Sequence, residues 1–528
     1  VTAADLVIVA DALHGTTGEA LAVADGRIVA IGDRRDASGW AGRGTRTVHL
    51  PGVVLPGLVD AHAHPVLGAR VSRGLDLQGV RTLGELRTIL TRACREAAPG
   101  SWVLGWGLSH DVWEGAPISA ASLGSAVDGA LVLLRMFDAH SALASSAALA
   151  RAGVDGPRTF PSGAGVAVDA EGTPTGVLQE HEAIDLVERL VPVEPLADVA
   201  ERLAGHLERM AAAGLTGAHV MDFEGEPAAL YAAVEEADRM PLRLRIHPWV
   251  DPSTTEQDWD ALIGATGSGG RLWRLHGVKF FLDGTIDNGT AWLTHADCHG
   301  QSVRSTWPSP AHYAAAIARF AAAGVPTATH AIGDAAVRHA AASIAAARAA
   351  HPGSLHRIEH LELTGDDIVD AVAGSGAIAS MQPTHCTRFI RADGRDNWSA
   401  RVGRARAEQS WRTRALADRG VMLALGSDWP IAPFDPREII AEAQTRRHGD
   451  APPVGAAEAL SAAQALAGYT TGAAAAAGHA ADEGRLAVGM RADLTVLAAD
   501  PTQCAPEDVP ALSVNATVVD GRVRHLRG

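Results

Sequence analysis

Short apolar runs recur along most of the chain, separated by longer Ala-rich stretches of helical character. Eight of these runs, at 53–59, 216–221, 243–250, 277–282, 327–330, 357–361, 377–381 and 421–426, predict buried parallel strands. Strand alternating with helix predicts a parallel sheet, and eight repeats predict an α/β chain folded as a TIM-like (β/α)8 barrel. The interval between 65 and 215 is too long for one strand–helix unit and carries further apolar runs at 102–106 and 131–137. It predicts an insertion, at about 66–214, lying over the barrel mouth. The Ala-rich tract 473–477 predicts a helix packed near the terminal β-structure.

The two ends read differently. Residues 5–10, 19–23, 27–31 and 47–50 are short β-like runs punctuated by Asp25-Gly26 and Gly32-Asp33. The last forty-five residues resemble them, with runs at 493–497 and 516–519. Each end alone has too few strands to bury a face, so 1–55 and 480–528 are expected to pair into one small β-sandwich around a barrel of 56–479.

Composition narrows the class. Hydrophobic residues make up 47% and charged residues 20% of 528, which supports a large core and excludes global disorder. The net charge of −16 argues against a nucleic-acid partner held by bulk positive charge. Cys94, Cys298, Cys386 and Cys504 are far apart and form no C-x-x-C pair, which fits a reducing cytoplasm. No stretch approaches eighteen uninterrupted apolar residues, so no membrane partner is expected. A homodimer is the default assembly.

Histidine is the unusual count, at 23. Four polar signals fall at or beside a predicted strand's end: Asp60-Ala-His62-Ala-His64, His330-Ala-Ile-Gly-Asp334, Arg357-Ile-Glu-His360 and Gly426-Ser-Asp428. In a barrel these ends converge, so residues hundreds of positions apart meet. His-x-His on a strand places both imidazoles on one face, about 7 Å apart along the chain. With His330, His360 and Asp428 they form a donor set that suits Zn2+ or another first-row divalent ion, one or two per chain, rather than calcium or magnesium. Lys279, on an inward-facing strand, is costly unless neutralised. As a carbamate it would bridge two metals; otherwise it would pair with Asp283, two pleats further on.

These motifs resemble the amidohydrolase superfamily: Leu55-Pro-Gly-Leu-Val-Asp-Ala-His-Ala-His64, Gly484-Arg-Leu-Ala-Val-Gly-Met-Arg-Ala-Asp-Leu-Thr-Val-Leu497 and the strand-end His, His and Asp. Asp138-Ala-His-Ser141, Lys279 in Val-Lys-Phe-Phe-Leu-Asp-Gly, Gln382-Pro-Thr-His385 and Gly426-Ser-Asp-Trp429 are similar to the YtcJ-like branch, which includes N-substituted formamide deformylases. The resemblance implies a metal-bearing barrel with a two-ended sandwich, His62, His64, His330, His360 and Asp428 as ligands or close partners, and His140 and His385 near the pocket. Around Thr290 and at Trp429 the sequence departs from the family pattern, where substrate would be read.

The expected reaction is hydrolysis of a C–N amide bond in a small molecule, with Asp428 taking the water proton and returning it to the leaving amine. Trp106, Trp292 and Trp429 are candidates for an apolar pocket wall, with Asp283 also at the substrate side. The same metal barrel would equally serve deamination, isomerisation or decarboxylation. A catalytically silent metal-binding protein is a third reading, opposed by the retention of the whole His and Asp set.

Overall fold

The computed structural model describes residues 4–160, 163–222 and 227–527. It is a mixed α/β fold. Eight parallel runs carry its centre, in two sheets. The first sheet holds Leu58–Ala63, Leu215–Val220, Arg243–Ile246 and Trp273–Leu275; the second holds Trp249–Val250, Val278–Phe281, Thr327–Ala331, His356–His360, Ile378–Met381 and Leu423–Leu425. Trp249–Val250 continues the run begun by Arg243–Ile246, and Val278–Phe281 continues Trp273–Leu275, so each of these runs contributes to both sheets. At the other side the main chain joins the last run to the first: Asp428 N–H donates to His62 O and His64 N–H to Trp429 O, each at 2.7 Å. These strands are buried almost throughout, which is why they read as continuous apolar runs.

One expected strand divides. Residues 53–59 look uniform in sequence, yet Val53–Pro56 belongs to a terminal sheet and the central strand starts at Leu58. Gly57 is the hinge: a Cβ there would lie 2.3 Å from Thr216 Oγ1 and 2.8 Å from Asp493 O, so only glycine passes between the two layers.

The termini form two sheets. Arg27–Gly32, Ala20–Ala24, Leu6–Val9 and Arg46–His49 make one; Ala12–Leu13, Val53–Pro56, Leu494–Leu497, Val514–Val519 and Arg522–Leu526 make the other. Leu6, Ile8, Leu21, Val54, Val496 and Val518 share one buried cluster between them.

Between 75 and 179 a fifth sheet is inserted, ordered Gly165–Val168, Pro174–Gln179, Ser141–Ala144, Leu131–Met136, Trp102–Leu108, Leu75–Asp76. The helix Leu83–Glu96 opens with a capping box between Thr82 and Glu85 and buries Leu86 and Leu90 against this unit. The helix Leu196–Ala212, which falls within the expected insertion, packs instead on the helices Pro65–Val71 and Pro227–Glu236 and serves the central strands. The Ala-rich tract is helical over Thr471–Ala476, but it lies on strands Leu58–Ala63 and Leu423–Leu425 rather than on the terminal sheets. Ala473 and Ala476 share a buried cluster with Ala61 and Ala424, and small side chains permit that close approach.

Candidate active site

The strand ends bring six predicted side chains together. His62 Nε2 lies 3.3 Å from His64 Nε2, 3.3 Å from Asp428 Oδ1 and 3.4 Å from Lys279 Nζ. His64 Nε2 is 3.0 Å from the same Asp428 oxygen, and His360 Nδ1 is 3.8 Å from Asp428 Oδ2. One donor atom each from His62, His360 and Asp428 lie within 4.8 Å of one another. His330 stacks edge-on to His360, with ring centroids 4.5 Å apart, and its Nε2 donates to Gly284 O at 3.1 Å. All of these groups are buried.

His62 is oriented from behind. Its Nδ1 donates to Glu359 Oε2 at 2.6 Å; a carboxylate only accepts, so Nδ1 carries the hydrogen and Nε2 offers its lone pair to the cluster. Glu359 is gripped by Arg357, Nε to Oε1 at 2.5 Å and Nη2 to Oε2 at 2.9 Å. Arg357 also donates to Ala61 O, Ser380 Oγ and His219 Nδ1, tying four central strands to one guanidinium. Asp60 accepts from His62 N–H and Ser427 N–H through Oδ1 and from Ser427 Oγ–H through Oδ2, fixing the first strand to the last.

Burial favours the neutral imidazole at three of these histidines. It holds His62, His330 and His360 well below the usual histidine range, and Lys279 and other nearby cations push in the same direction. Burial also brings Lys279 down to about 8. Asp428 is the opposite case: burial would raise it, but His62, His64 and His385 together hold it below the ordinary carboxylate range. Buried His64 Nδ1, His360 Nδ1 and His385 Nε2 have no hydrogen-bond partner among the described residues. Imidazole nitrogens left without hydrogen bonds around a carboxylate fit a divalent transition-metal ion.

Residues 52–525 match the amidohydrolase family. The chain belongs to that family. Protein LONG AFTER FAR-RED 3 of Arabidopsis thaliana is 30% identical over 96% of this chain and 88% of its own length. N-substituted formamide deformylase of Arthrobacter pascens is 27% identical over 97% and 96%, and YtcJ of Bacillus subtilis is 27% identical with the same coverage. The crystal structure of an uncharacterized metal-dependent hydrolase from Pyrococcus horikoshii superposes with a TM-score of 0.73 at 22% identity, covering 95% of this chain and 99% of the other.

In this amidohydrolase a cavity opens over the cluster. His64, Lys279, His330, His360, His385 and Asp428 face it, and so does His140 from the inserted sheet. His385 Nε2 is 3.5 Å from Asp428 Oδ2, and His140 Nδ1 donates to Glu180 Oε2 at 2.8 Å. Burial pulls His140 down, but Glu180 outweighs it and lifts the imidazole to about 9.

The four remaining expected pocket residues lie elsewhere among the described residues. Asp283 is consumed by three backbone amides, from Trp292, Ile332 and Gly333, at 2.8 to 3.0 Å. It does not pair with Lys279, because the strand ends at Phe281 and the chain leaves the pleat before Asp283. Burial raises its carboxyl to about 7 despite those amides. Trp292 is held through its backbone and packs on His339. Trp106 sits in the inserted strand Trp102–Leu108, and Trp429 turns away from the cavity onto His206 and Gly68. The aromatic wall is built instead by Phe137, Trp249, Phe281, Phe389, Trp398 and Trp411. Glu359 stood inside the Arg-Ile-Glu-His motif without an assigned role; its position two residues from Arg357, hence on the same strand face, is the signal that finds the pair. Glu180 carried no such signal, since its partner is forty residues away.

Proposed function

We propose that this amidohydrolase is a metal-dependent hydrolase of a carbon–nitrogen amide bond in a small molecule, N-substituted formamides being the first class to test. The observation that carries the reading is the buried convergence of His62, His64, His360, Lys279 and Asp428 within hydrogen-bonding and ligand distances, with ring nitrogens left unsatisfied. The formamide class is suggested by the Arthrobacter pascens relative.

The centre holds one or two divalent ions, zinc foremost. His62, His64 and Asp428 hold one; His330 and His360 hold a second when Lys279 is carboxylated. Lys279 suits that modification: its amine is buried, its pKa lies near 8, and it makes no ion pair among the described residues. Addition of CO2 would form the N–C bond and release one proton, leaving an anionic carbamate that could serve as a metal ligand. When bound, the metal polarises the scissile carbonyl and acidifies water. Asp428 takes the water proton on its carboxylate and returns it to the departing nitrogen; His140 and His385 line the space where substrate sits.

Three coarser features complete the reading. The eight parallel runs form one (β/α)8 barrel, spanning 56–479 with its inserted sheet. The terminal sheets form a sandwich of 1–55 and 480–528. The protein acts in the cytoplasm, as a homodimer, without nucleic-acid or membrane partners; no helix among the described residues is long and apolar enough to cross a membrane.

The test is elemental analysis combined with an amide panel. The as-purified protein is expected to carry at least one transition metal per chain, and His62→Ala with His64→Ala to lose most of it. Asp428→Asn, compared at matched metal content, is expected to lose about 10²- to 10⁴-fold in turnover. Full metal retention by the double variant, or near-normal turnover by Asp428→Asn, would overturn the corresponding role.

A further inference from the structure

A second cavity, of about 540 Å³, lies between the inserted sheet and the helices that cover the central strands. The helix Pro65–Val71 contributes Leu67 and Val71 to its wall, Leu196–Ala212 contributes Val199, and Pro227–Glu236 contributes Leu230. Leu104 and Leu133 face them from the sheet, where they are register partners on adjacent parallel strands and so share one face. Among the described residues no aromatic side chain lines this space, whereas the cavity over the strand ends is walled by aromatic rings. On the rim the charges close on one another. Arg73 Nη1 is 3.4 Å from Glu194 Oε2 and donates to Pro192 O at 3.2 Å; Arg202 Nη2 donates to Glu194 Oε2 at 2.6 Å, and Arg135 pairs with Glu188. Arg70 is not free either. Charges already closed favour a neutral occupant, and aliphatic walls favour a hydrocarbon chain. The outer end opens to solvent at Val193, which is 95% exposed.

Leu67 is the one residue, among those described, that lines both cavities. It follows His64 by three residues, so the helix that begins beside the histidine cluster carries it about one turn away. Its N–H donates to Asp222 Oδ2 at 2.6 Å, which fixes the backbone, and the residue is half-buried between the two spaces. At that point the partition is a single side chain. Room is short on the cluster's side of it: the open volume over the strand ends is about 70 Å³, enough for roughly five water-sized groups. An amide and its first carbons fill that space, and a longer substituent needs room elsewhere. A gap one leucine wide passes a methylene chain more readily than a ring.

We propose that the substrate's amide nitrogen carries an unbranched aliphatic chain, and that Leu67 admits this chain into the second cavity. The inference rests on the amide-hydrolase reading of the first cavity and adds the class of substituent. It also gives the inserted sheet a role: Leu104 and Leu133 complete an aliphatic wall that the eight strand ends lack.

The test uses a matched pair, N-ethylformamide and N-octylformamide, which differ only in chain length. Each methylene seated between aliphatic walls adds up to about fourfold, so the as-purified enzyme is expected to favour the octyl compound in kcat/KM by about 100-fold or more. Leu67→Trp, which thickens the partition, and Leu104→Trp, which fills the second cavity, are each expected to cut that ratio by about 10- to 100-fold. The ratio is taken within each variant, so a general loss of activity cancels. Leu196→Trp, at a lining position 43% exposed, narrows the same space and stands in for Leu104→Trp if that variant does not fold. A wild-type enzyme that shows no preference for the longer chain, or a ratio unchanged in the variants, overturns the proposal and leaves amide hydrolysis intact. Should neither formamide be cleaved, the hydrolase reading fails by itself, and calorimetric binding decides the proposal: N-octylformamide must bind wild type at least about 10-fold more tightly than the cavity-filling variant, and equal binding refutes it.

Discussion

Arg357→Met separates two roles of one buried ion pair. Arg357 is 1% exposed and Glu359 is fully buried, and the guanidinium supplies two of the carboxylate's hydrogen bonds. Removing it leaves an uncompensated charge in the interior, a change that costs about 3–5 kcal/mol. For a chain of this length melting as one unit, with an unfolding entropy of roughly 2.1 cal/mol/K per residue, that is a fall of about 3–5 °C in Tm. Replacing both residues, Arg357→Met with Glu359→Leu, removes the orphaned charge and is expected to recover part of the loss, since Ala61 O, Ser380 Oγ and His219 Nδ1 still lack the Arg357 donor. It does not recover the site: His62 Nδ1 then has no acceptor, its tautomer and ring angle are no longer fixed, and metal affinity is expected to fall about 10- to 100-fold. Calorimetric melting and chelator competition read the two effects separately. A double variant as unstable as the single one would refute the charge argument, and unchanged metal affinity in the double variant would refute the orienting role of Glu359.

Lys279→Ala is expected to lower the metal count towards one and to be partly rescued by short carboxylic acids, which can occupy the bridging position; a count unchanged from wild type argues against the carbamate. Gly68→Ala would place a Cβ 2.1 Å from the Trp429 ring, next to Asp428, and is expected to destabilise by about 1–3 kcal/mol and to reduce turnover, read by melting and assay together. Stability is expected to fall on acidification. Burial depresses His356 to about 4, and the nearby Arg348 charge adds to the effect; the unfolded chain therefore binds that proton first, and the contribution present above pH 6.5 is lost between 6.5 and 4, up to about 3 kcal/mol. His356→Gln should flatten the slope of Tm against pH over that window, and equal slopes would exclude it.

Much of the centre was legible because burial on both faces leaves a signature. Parallel strands covered on both sides read as unbroken apolar runs, and the polar residues that interrupt their ends, His62, His64, His330, His360 and Asp428, stand out against them. The same continuity hides boundaries: 53–59 gives no sign that Gly57 carries the chain from one layer to another. Tryptophan carries no directional signal, since an indole fills a core or a cavity wall equally well. Trp106, Trp292 and Trp429 therefore could not be told from Trp249, Trp398 and Trp411, which line the cavity. Asp283 illustrates a different limit: its spacing from Lys279 places it on the same pleat only if the strand continues, and the strand stops at Phe281.

Backbone strain gathers where the chemistry is placed. Of the twelve non-glycine residues with positive φ among those described, Ala139, Glu180, His360, Leu361, Trp411 and Asp428 lie in or beside the cavity. Each such residue costs on the order of 1–3 kcal/mol, so together they weaken the fold locally unless packing offsets them. The offset is visible: Asp428 N–H is bonded to His62 O and Trp411 N–H to Glu362 O, which hold both turns in place. This bears on how the Asp428 substitution is to be judged. Asn tolerates left-handed backbone at least as well as Asp, so Asp428→Asn at φ 60° preserves the turn that aims the side chain. Alanine would add strain to the loss of the carboxylate, and a fall in turnover could then come from either. With asparagine at matched metal content, the fall in turnover reports the missing proton acceptor.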